Sequence, residues 1–577
     1  MTRLLVALGG WVVLTALGSV AVERVFAMPT DGVAPRAVVA SVWSRGELIA
    51  RATLAQPGDT DARLEAAIAA HPGATLVHED IVGEAPVLPW PAPAQAMSFA
   101  PGRDGLSLTL GDRTEYVTPD DLLARHAYDK GVALPILGVK AGVDMPVALA
   151  MLGDRFGTPV PDLLDRGRLR RIRTRRTFPG RAAVPPVTAD TITPDDARAG
   201  VLAAARHLAR GVDAEGRFRY RIDAPTNRTL SGYDWPRHGG ATYFLAQAAA
   251  LSHDPGIAAA TLRAAAYLRE HAMTDCGQDR CVGDGAVVEI GATALAVIAF
   301  TEIVRARLDP AYGDIIPGLT SFLRAQQRPD GEFMHRFDRG RGRPVDVQLL
   351  YYSGETALAL SRAHGLLGDP RDLDAARRAV AHLVRPAWSF FGSRYYFTEE
   401  HWTCQAMDDL WDRAPNRDAL ELCLRWLAHE RRLALRAEDA PFDADGAYGL
   451  AALPTPSLTP VGSRCEAAAA TLDAAQKALL PDSVLEPLRA QLRHSLALLL
   501  RRQLGPSTAH LMVDPAAVEG AIPATEVNWE LRIDFAQHAG SALERWLDAS
   551  LDGSRDASGA DQPFRHATVD EKRQGTP

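Results

Sequence analysis

Ionisable residues recur in this chain beside small residues and aromatics, at the starts of alanine- and leucine-rich stretches. Arg237 and His238 precede Gly239, Glu289 precedes Gly291, and Glu355 follows Tyr352 and Gly354. Glu400 and His401 precede Trp402 and Cys404, Arg464 and Glu466 flank Cys465, and Arg532, Asp534 and His538 precede Gly540. Two carboxylates in such a set divide acid and base work once their surroundings separate their proton affinities. Glu355 is the first choice for one role and Glu289 or Asp534 for its counterpart, with His238 and His538 as proton-transfer or orienting groups. Arg237, Arg464 and Arg532 would position anionic groups, while Tyr352, His401, Trp402 and Glu466 would complete a binding surface of flat rings and polar tips. The competing reading is structural: these acids cap helices or pair with the same arginines.

The spacing of these clusters says what must position them. The small residues near their starts fall at 239, 291, 354, 404, 465 and 540, so one unit spans between 50 and 75 residues. That is two helices and their loops, too irregular for a tetratricopeptide array and suited to alternating inner and outer helices of a ring. Small residues let inner helices approach closely. Each unit continues into a second helical pattern, such as Ala259 to Leu268, Leu319 to Ala325 or Asp372 to Leu383.

Two stretches carry a family resemblance. FLRAQQRPDGEFMHRF at 322–337 is similar to the glutamine-aspartate-glycine-aromatic repeats of squalene-cyclase-like toroids, and SGETALAL followed by Gly368-Asp369-Pro370 resembles toroidal carbohydrate-active proteins of the sugar-epimerase and glycosidase type. The resemblance implies a mainly α fold, an (α/α)6 toroid over residues 190–548, and specifies no reaction; it is the charged and aromatic set that points to a polar, sugar-like substrate. Polyene cyclisation is not implied, because no spaced aspartate cluster occurs and Asp408-Asp409 lies inside a helical pattern. His401, Cys404, Cys465 and His538 are similar in residue types to the zinc site of lanthionine-synthetase-like toroids, without the adjacent Cys-His pair. Zinc is one reading of them; cysteines as small buried fillers are the other. No phosphate loop, dinucleotide fingerprint, serine elbow or HExxH motif occurs, so no other cofactor is expected.

Ahead of the ring, Leu4 to Val22 is an uncharged run of 19 residues, close to what crosses a bilayer core of ~30 Å. It reads as a retained inner-membrane anchor with the bulk in the periplasm, or as a cleaved signal peptide ending near Val25-Phe26-Ala27, so 1–27 is set apart. Residues 28–96 read as an extended region and linker, because PVLPWPAPAQA at 86–96 holds four prolines. Residues 97–189 read as a small α+β module: Leu106 to Leu110 alternates like a strand, Gly111-Asp112 turns, and Thr118-Pro119 opens a helix. A second cap and helix follow at 141–154. Residues 549–577 read as a flexible polar tail.

Charge and cysteines bound the partners. A formal charge of -8 gives no global attraction for nucleic acid. Seven arginines between Arg166 and Arg176 read either as a solvated connector or as a guide for an anionic polymer. Cys276 and Cys281 bracket a polar loop that a disulfide could close, with free thiols as the alternative, and the odd total of five cysteines leaves at least one unpaired in a monomer. The expectation is thus a cell-envelope carbohydrate-active enzyme that hydrolyses, eliminates or epimerises an acidic polysaccharide. The alternatives are a non-catalytic periplasmic subunit that binds polysaccharide or scaffolds a membrane complex, and a zinc-dependent toroid enzyme.

Overall fold

A computed structural model describes residues 34–87, 98–130, 132–134, 139–181, 185–385, 401–439, 443–449 and 455–558. Twelve helices in six consecutive pairs form the larger part of it. We label them α1 (Pro194–Arg210), α2 (Trp235–Ser252), α3 (Pro255–His271), α4 (Ile290–Arg305), α5 (Ile316–Ala325) and α6 (Tyr352–Leu367). There follow α7 (Pro370–Leu383), α8 (His401–Leu410), α9 (Arg417–Glu430), α10 (Thr459–Lys477), α11 (Asp482–Arg502) and α12 (Ile533–Ser558). The even-numbered helices pack each on the next, and α12 returns to α2, so they close an inner ring. The odd-numbered helices lie outside it.

Burial explains the two kinds of helix. Every residue of α4 from Ile290 to Ile303 is buried, as a helix enclosed on all sides must be. In α7 the buried apolar positions are Ala375, Ala376, Ala379, Val380 and Leu383, one stripe facing inward. The starts are set by side-chain caps followed by proline. Thr193 and Asp196 form a capping box before α1, and Asp234, Asp254 and Asp369 cap α2, α3 and α7. The expected small residues do sit where inner helices touch. A Cβ on Gly239 would meet Leu295, one on Gly354 would meet Trp402, one on Gly462 would meet His538, and one on Gly540 would meet Phe244.

The turn read at 329–333 is repeated. Gly216-Arg217-Phe218, Gly331-Glu332-Phe333 and Gly446-Ala447-Tyr448 each close a short bridge after an outer helix: Val212 with Phe218, Gln327 with Phe333, and Ala434 with Tyr448. Their glycines have φ of +96°, +98° and +94°. An added Cβ would fall on the carbonyl of Arg263, Arg378 or His494 in the next outer helix. Each turn therefore latches one outer helix to its neighbour. The sequence reading took up one copy, although the pattern acid-Gly-x-aromatic recurs at Glu215–Phe218, Asp330–Phe333 and Asp445–Tyr448.

The N-terminal part corrects two expectations. Residues 37–86, read as linker, supply three strands of a six-stranded antiparallel sheet: β1 (Ala37–Ser44), β2 (Glu47–Leu54) and β3 (Thr75–Pro86). With β4 (Asp104–Leu110), β5 (Arg113–Val117) and β6 (Arg168–Thr177), the spatial order is β2-β1-β3-β6-β4-β5. The arginine run is β6 itself, between β3 and β4. Arg173 pairs with Asp104 at 2.6 Å, Arg175 with Asp80 at 3.0 Å, Arg170 with Glu84 at 3.7 Å, and Arg176 with Asp120 and Glu79. A strand whose guanidinium groups already face carboxylates is a poor guide for an anionic polymer.

The expected β4–β5 hairpin and the helix opened by Thr118-Pro119 are present, the latter with a capping box, and the second helix, expected at 141–154, runs over Met145–Phe156. The module shares one apolar core with the ring, in which Trp43, Phe99 and Leu106 pack with Leu504, Leu511, Val527 and Trp529. Helix α12 continues to Ser558, into the segment read as a flexible tail. Among the described residues no helix is long and apolar enough to cross a membrane, and Leu4–Val22 lies outside them.

Candidate active site

The N-terminal ends of the inner helices gather the candidate groups into one cluster. At the seam, Asp234 caps α2 through the Arg237 N–H and pairs with the Arg237 guanidinium at 3.1 Å. Arg237 also donates to Asp534 at 3.2 Å, and Arg532 donates to Asp534 at 2.5 and 2.8 Å. Burial raises the Asp534 carboxyl, but the hydrogen bond and charge of Arg532, with Arg237, outweigh it and hold the group below its ordinary value. That makes Asp534 a clamp for two arginines and a weak base.

At the starts of the next two inner helices, α4 and α6, Tyr352 donates to Glu289 Oε2 at 2.6 Å, and Arg336 reaches Glu289 Oε1 at 2.9 and 3.1 Å. The start of α6 is fixed by a network beneath it. The Leu349 N–H donates to His335 Nδ1 at 2.6 Å, so the proton of the neutral ring sits on Nε2, 2.7 Å from Ser353 Oγ, and Ser353 donates to Glu332. With that tautomer His335 cannot take the Ser353 proton; the trio positions Tyr352 and Glu355 and supplies no nucleophile.

Glu355 is buried, and its Oε2 has no hydrogen-bond partner among the described residues. Room for it comes from Gly291, where a Cβ would stand 2.6 Å from that oxygen and overlap the Tyr352 ring. Burial, then the charge of Asp234, pushes its carboxyl up to about 8 against the opposing pull of Arg237 and His538. It is an acid that keeps its proton at neutral pH.

On the opposite inner helix, α12, His538 Nδ1 lies 2.8 Å from the fully buried Glu466 Oε2 and donates to it, so Nε2 carries the lone pair whenever the ring is neutral. Glu466 is held in turn by Tyr243 at 3.3 Å and Gln537 at 3.4 Å. His401 Nε2 is 4.0 Å from the same oxygen, and its ring lies 5.4 Å from that of His538 and 4.7 Å from that of Trp402. One turn further along α8, Gln405 is buried with neither amide atom partnered among the described residues. Around these buried groups, the side chains of Arg237, Arg336, Glu289 and Arg532 are 37%, 40%, 36% and 27% exposed, a solvent-facing rim of paired charges.

Other candidates lie elsewhere. His238 is buried with Nδ1 on the Tyr233 hydroxyl and Nε2 on the Ala264 carbonyl of α3, and burial drives it down to about 4. It is a packing group between helices. Arg464 turns outward to Glu430 of α9 and the Tyr448 ring. The zinc set dissolves in part: Cys404 forms a disulfide with Cys423, and Cys465 is buried with its thiol pushed well up, chiefly by burial. His401, Glu466 and His538 do bring ligand atoms within 4.8 Å of one another, a donor set that zinc accepts. The 2.8 Å contact within it is a hydrogen-bond length, shorter than the ~3.3 Å between ligand atoms on tetrahedral zinc. Glu400 lies outside the described residues. Asp234 and Arg336 escaped the sequence reading; Asp234-Trp235-Pro236 carries a cap-plus-proline signal that could have found the first.

No family model matches the chain, and no curated protein matches it in sequence. Solved structures do resemble it. A D-mannose isomerase aligns with a TM-score of 0.48 and 13% identity over 64% of this chain and 100% of its own. A cellobiose 2-epimerase from Spirochaeta thermophila aligns with 0.45 and 14% over 62% and 98%. An unsaturated glucuronyl hydrolase specific for heparin aligns with 0.42 and 12% over 62% and 99%.

Proposed function

We propose that the protein is an enzyme that moves a proton on a sugar, with Glu355 as the acid and His538, oriented by Glu466, as the base. The observation that carries this reading is a buried carboxyl pushed up to about 8 in the same cluster as a histidine whose Nδ1 proton is held by Glu466. An imidazole base with a separate neutral acid suits removal of a proton from carbon beside a carbonyl or carboxyl group. Epimerisation or isomerisation is therefore favoured over hydrolysis by two carboxylates. Asp534 and Glu289, the partners first considered for Glu355, are occupied by Arg237 and Arg532 and by Tyr352 and Arg336.

Paired charges at the rim favour a sugar read through its hydroxyls, and they leave an acidic glycan as the second reading. Export from the cytoplasm fits the disulfides Cys276–Cys281 and Cys404–Cys423, which persist in oxidising compartments, and the Leu4–Val22 run is the means proposed for it. The test is product formation from a panel of reducing sugars and uronic-acid oligosaccharides. Wild type should convert a reducing sugar and lose ~10²–10⁴-fold in kcat with Glu355→Gln or His538→Ala at matched folding. Binding of a polymer without conversion, equal in both variants, would instead support a non-catalytic subunit.

A further inference from the structure

Helix α8 stands between α6 and α10 in the inner ring, and its contacts show which way its side chains point. His401 reaches Glu466 of α10 at 4.0 Å and the His538 ring of α12. Asp408, about two turns on, reaches Lys477 of α10 at 3.8 Å and Arg545 of α12 at 3.5 Å. On the other flank Trp402 lies against Gly354 and Asp409 accepts from Ser361 at 2.5 Å, both partners belonging to α6. Cys404 is bonded to Cys423 of α9, outside the ring. At about 100° per residue, Gln405 falls about 40° from His401 on one side and about 40° from Asp409 on the other. It therefore occupies the sector between the two flanks, the one that faces the ring's axis, about 6 Å along the helix from His401.

Gln405 is 1% exposed, and neither its carbonyl nor its amino group has a partner among the described residues. The contrast is with Gln537 of α12, a second buried amide, which donates to the Tyr243 hydroxyl at 2.9 Å. Charged side chains on the next turn of the inner helices also find one another, Glu302 with Arg362 at 3.2 Å and Asp408 with Arg545. A buried amide aimed at the axis with two donors and an acceptor unmet calls for a ligand that both donates and accepts. A hydroxyl does both, whereas a carboxylate only accepts. The donor and the acceptor of the amide stand side by side, which matches two adjacent hydroxyls.

We propose that Gln405 is a specificity-determining residue, its amide hydrogen-bonding two adjacent hydroxyls of the sugar on which Glu355 and His538 act. The inference rests on the proton-transfer reading for where the sugar sits. The amide holds the ring one turn away from the reacting carbon and takes no part in the proton transfer itself.

Saturation-transfer NMR on the full chain gives the dissociation constants of glucose, galactose, mannose and their monodeoxy analogues, a readout that needs no turnover. Gln405→Met keeps the length of the side chain and removes its donors and acceptor. It should weaken the sugar that wild type binds best by about tenfold. One monodeoxy analogue should bind wild type about tenfold more weakly than that sugar, yet bind Gln405→Met as well as the parent sugar does, because the same contact is missing in both. Without sugar, the melting temperature of Gln405→Met should equal or exceed that of wild type, since the amide has no protein partner to lose. Equal affinity of wild type and variant for every sugar, or no sugar bound by wild type, would overturn the proposal and leave the amide to water. So would a melting temperature lowered by several degrees, which would show that the amide is bonded within the protein, or a variant that still discriminates against the same analogue. Sugar bound with the expected pattern but never converted would sink the acid–base reading and leave Gln405 in its binding role.

Discussion

Glu355 keeps its proton because of where it is buried, and that has a measurable cost. The folded chain holds the proton up to about pH 8, whereas the free side chain releases it near 4.5. The folded state binds more protons across that window, so its stability falls as pH rises through it. Glu355→Gln removes the ionisation, and its thermal midpoint relative to wild type should be higher at pH 9 than at pH 5. An unchanged difference between the two pH values would show that Glu355 ionises normally. Its neighbours show what residue type alone conveys. Glu355, Glu466, His401 and His538 were legible as polar groups beside small residues at helix starts. His238 and Arg464 carry the same signal yet face outward, because successive residues on a helix turn by about 100°. Arg464 and Glu466 are two positions apart, so when one faces the centre the other cannot.

At the scale of elements, the latching turns hold the outer ring. Gly331→Ala combines a φ of +98° with a Cβ on the Arg378 carbonyl, and neither backbone can yield cheaply. It should destabilise by about 2–4 kcal/mol. Gly342→Ala, at φ +61° with open space around it, should cost only about 1–2 kcal/mol. Denaturant midpoints of the two variants check the difference, and equal losses would leave the latch without support. The inner helices were readable because small residues at 239, 291, 354 and 540 mark close approach. The strands at 37–86 were not. Val38 to Trp43 is buried on both faces of β1, so no alternation appears, and in β6 arginines occupy both faces because carboxylates of the module receive them.

The whole molecule is a ring closed against a module, and the two share their packing. Leu504, Leu511, Val527 and Trp529 are buried in one cluster with the module's Trp43, Phe99 and Leu106, and His510 Nε2 meets the buried Asp120 at 2.7 Å across the same boundary. A chain beginning at Thr188 should therefore aggregate or unfold at lower temperature than the full chain. A monodisperse species of equal thermal midpoint in size-exclusion and melting experiments would contradict this. The central claim concerns the proton moved between sugar and protein, and the most direct measurement is isotope exchange in D2O. Wild type should place solvent deuterium on the carbon beside the carbonyl of a converted reducing sugar. His538→Ala should lose that exchange by ~10²-fold or more while retaining its fold. Conversion by wild type with no deuterium on that carbon, or undiminished exchange in His538→Ala, would contradict the account.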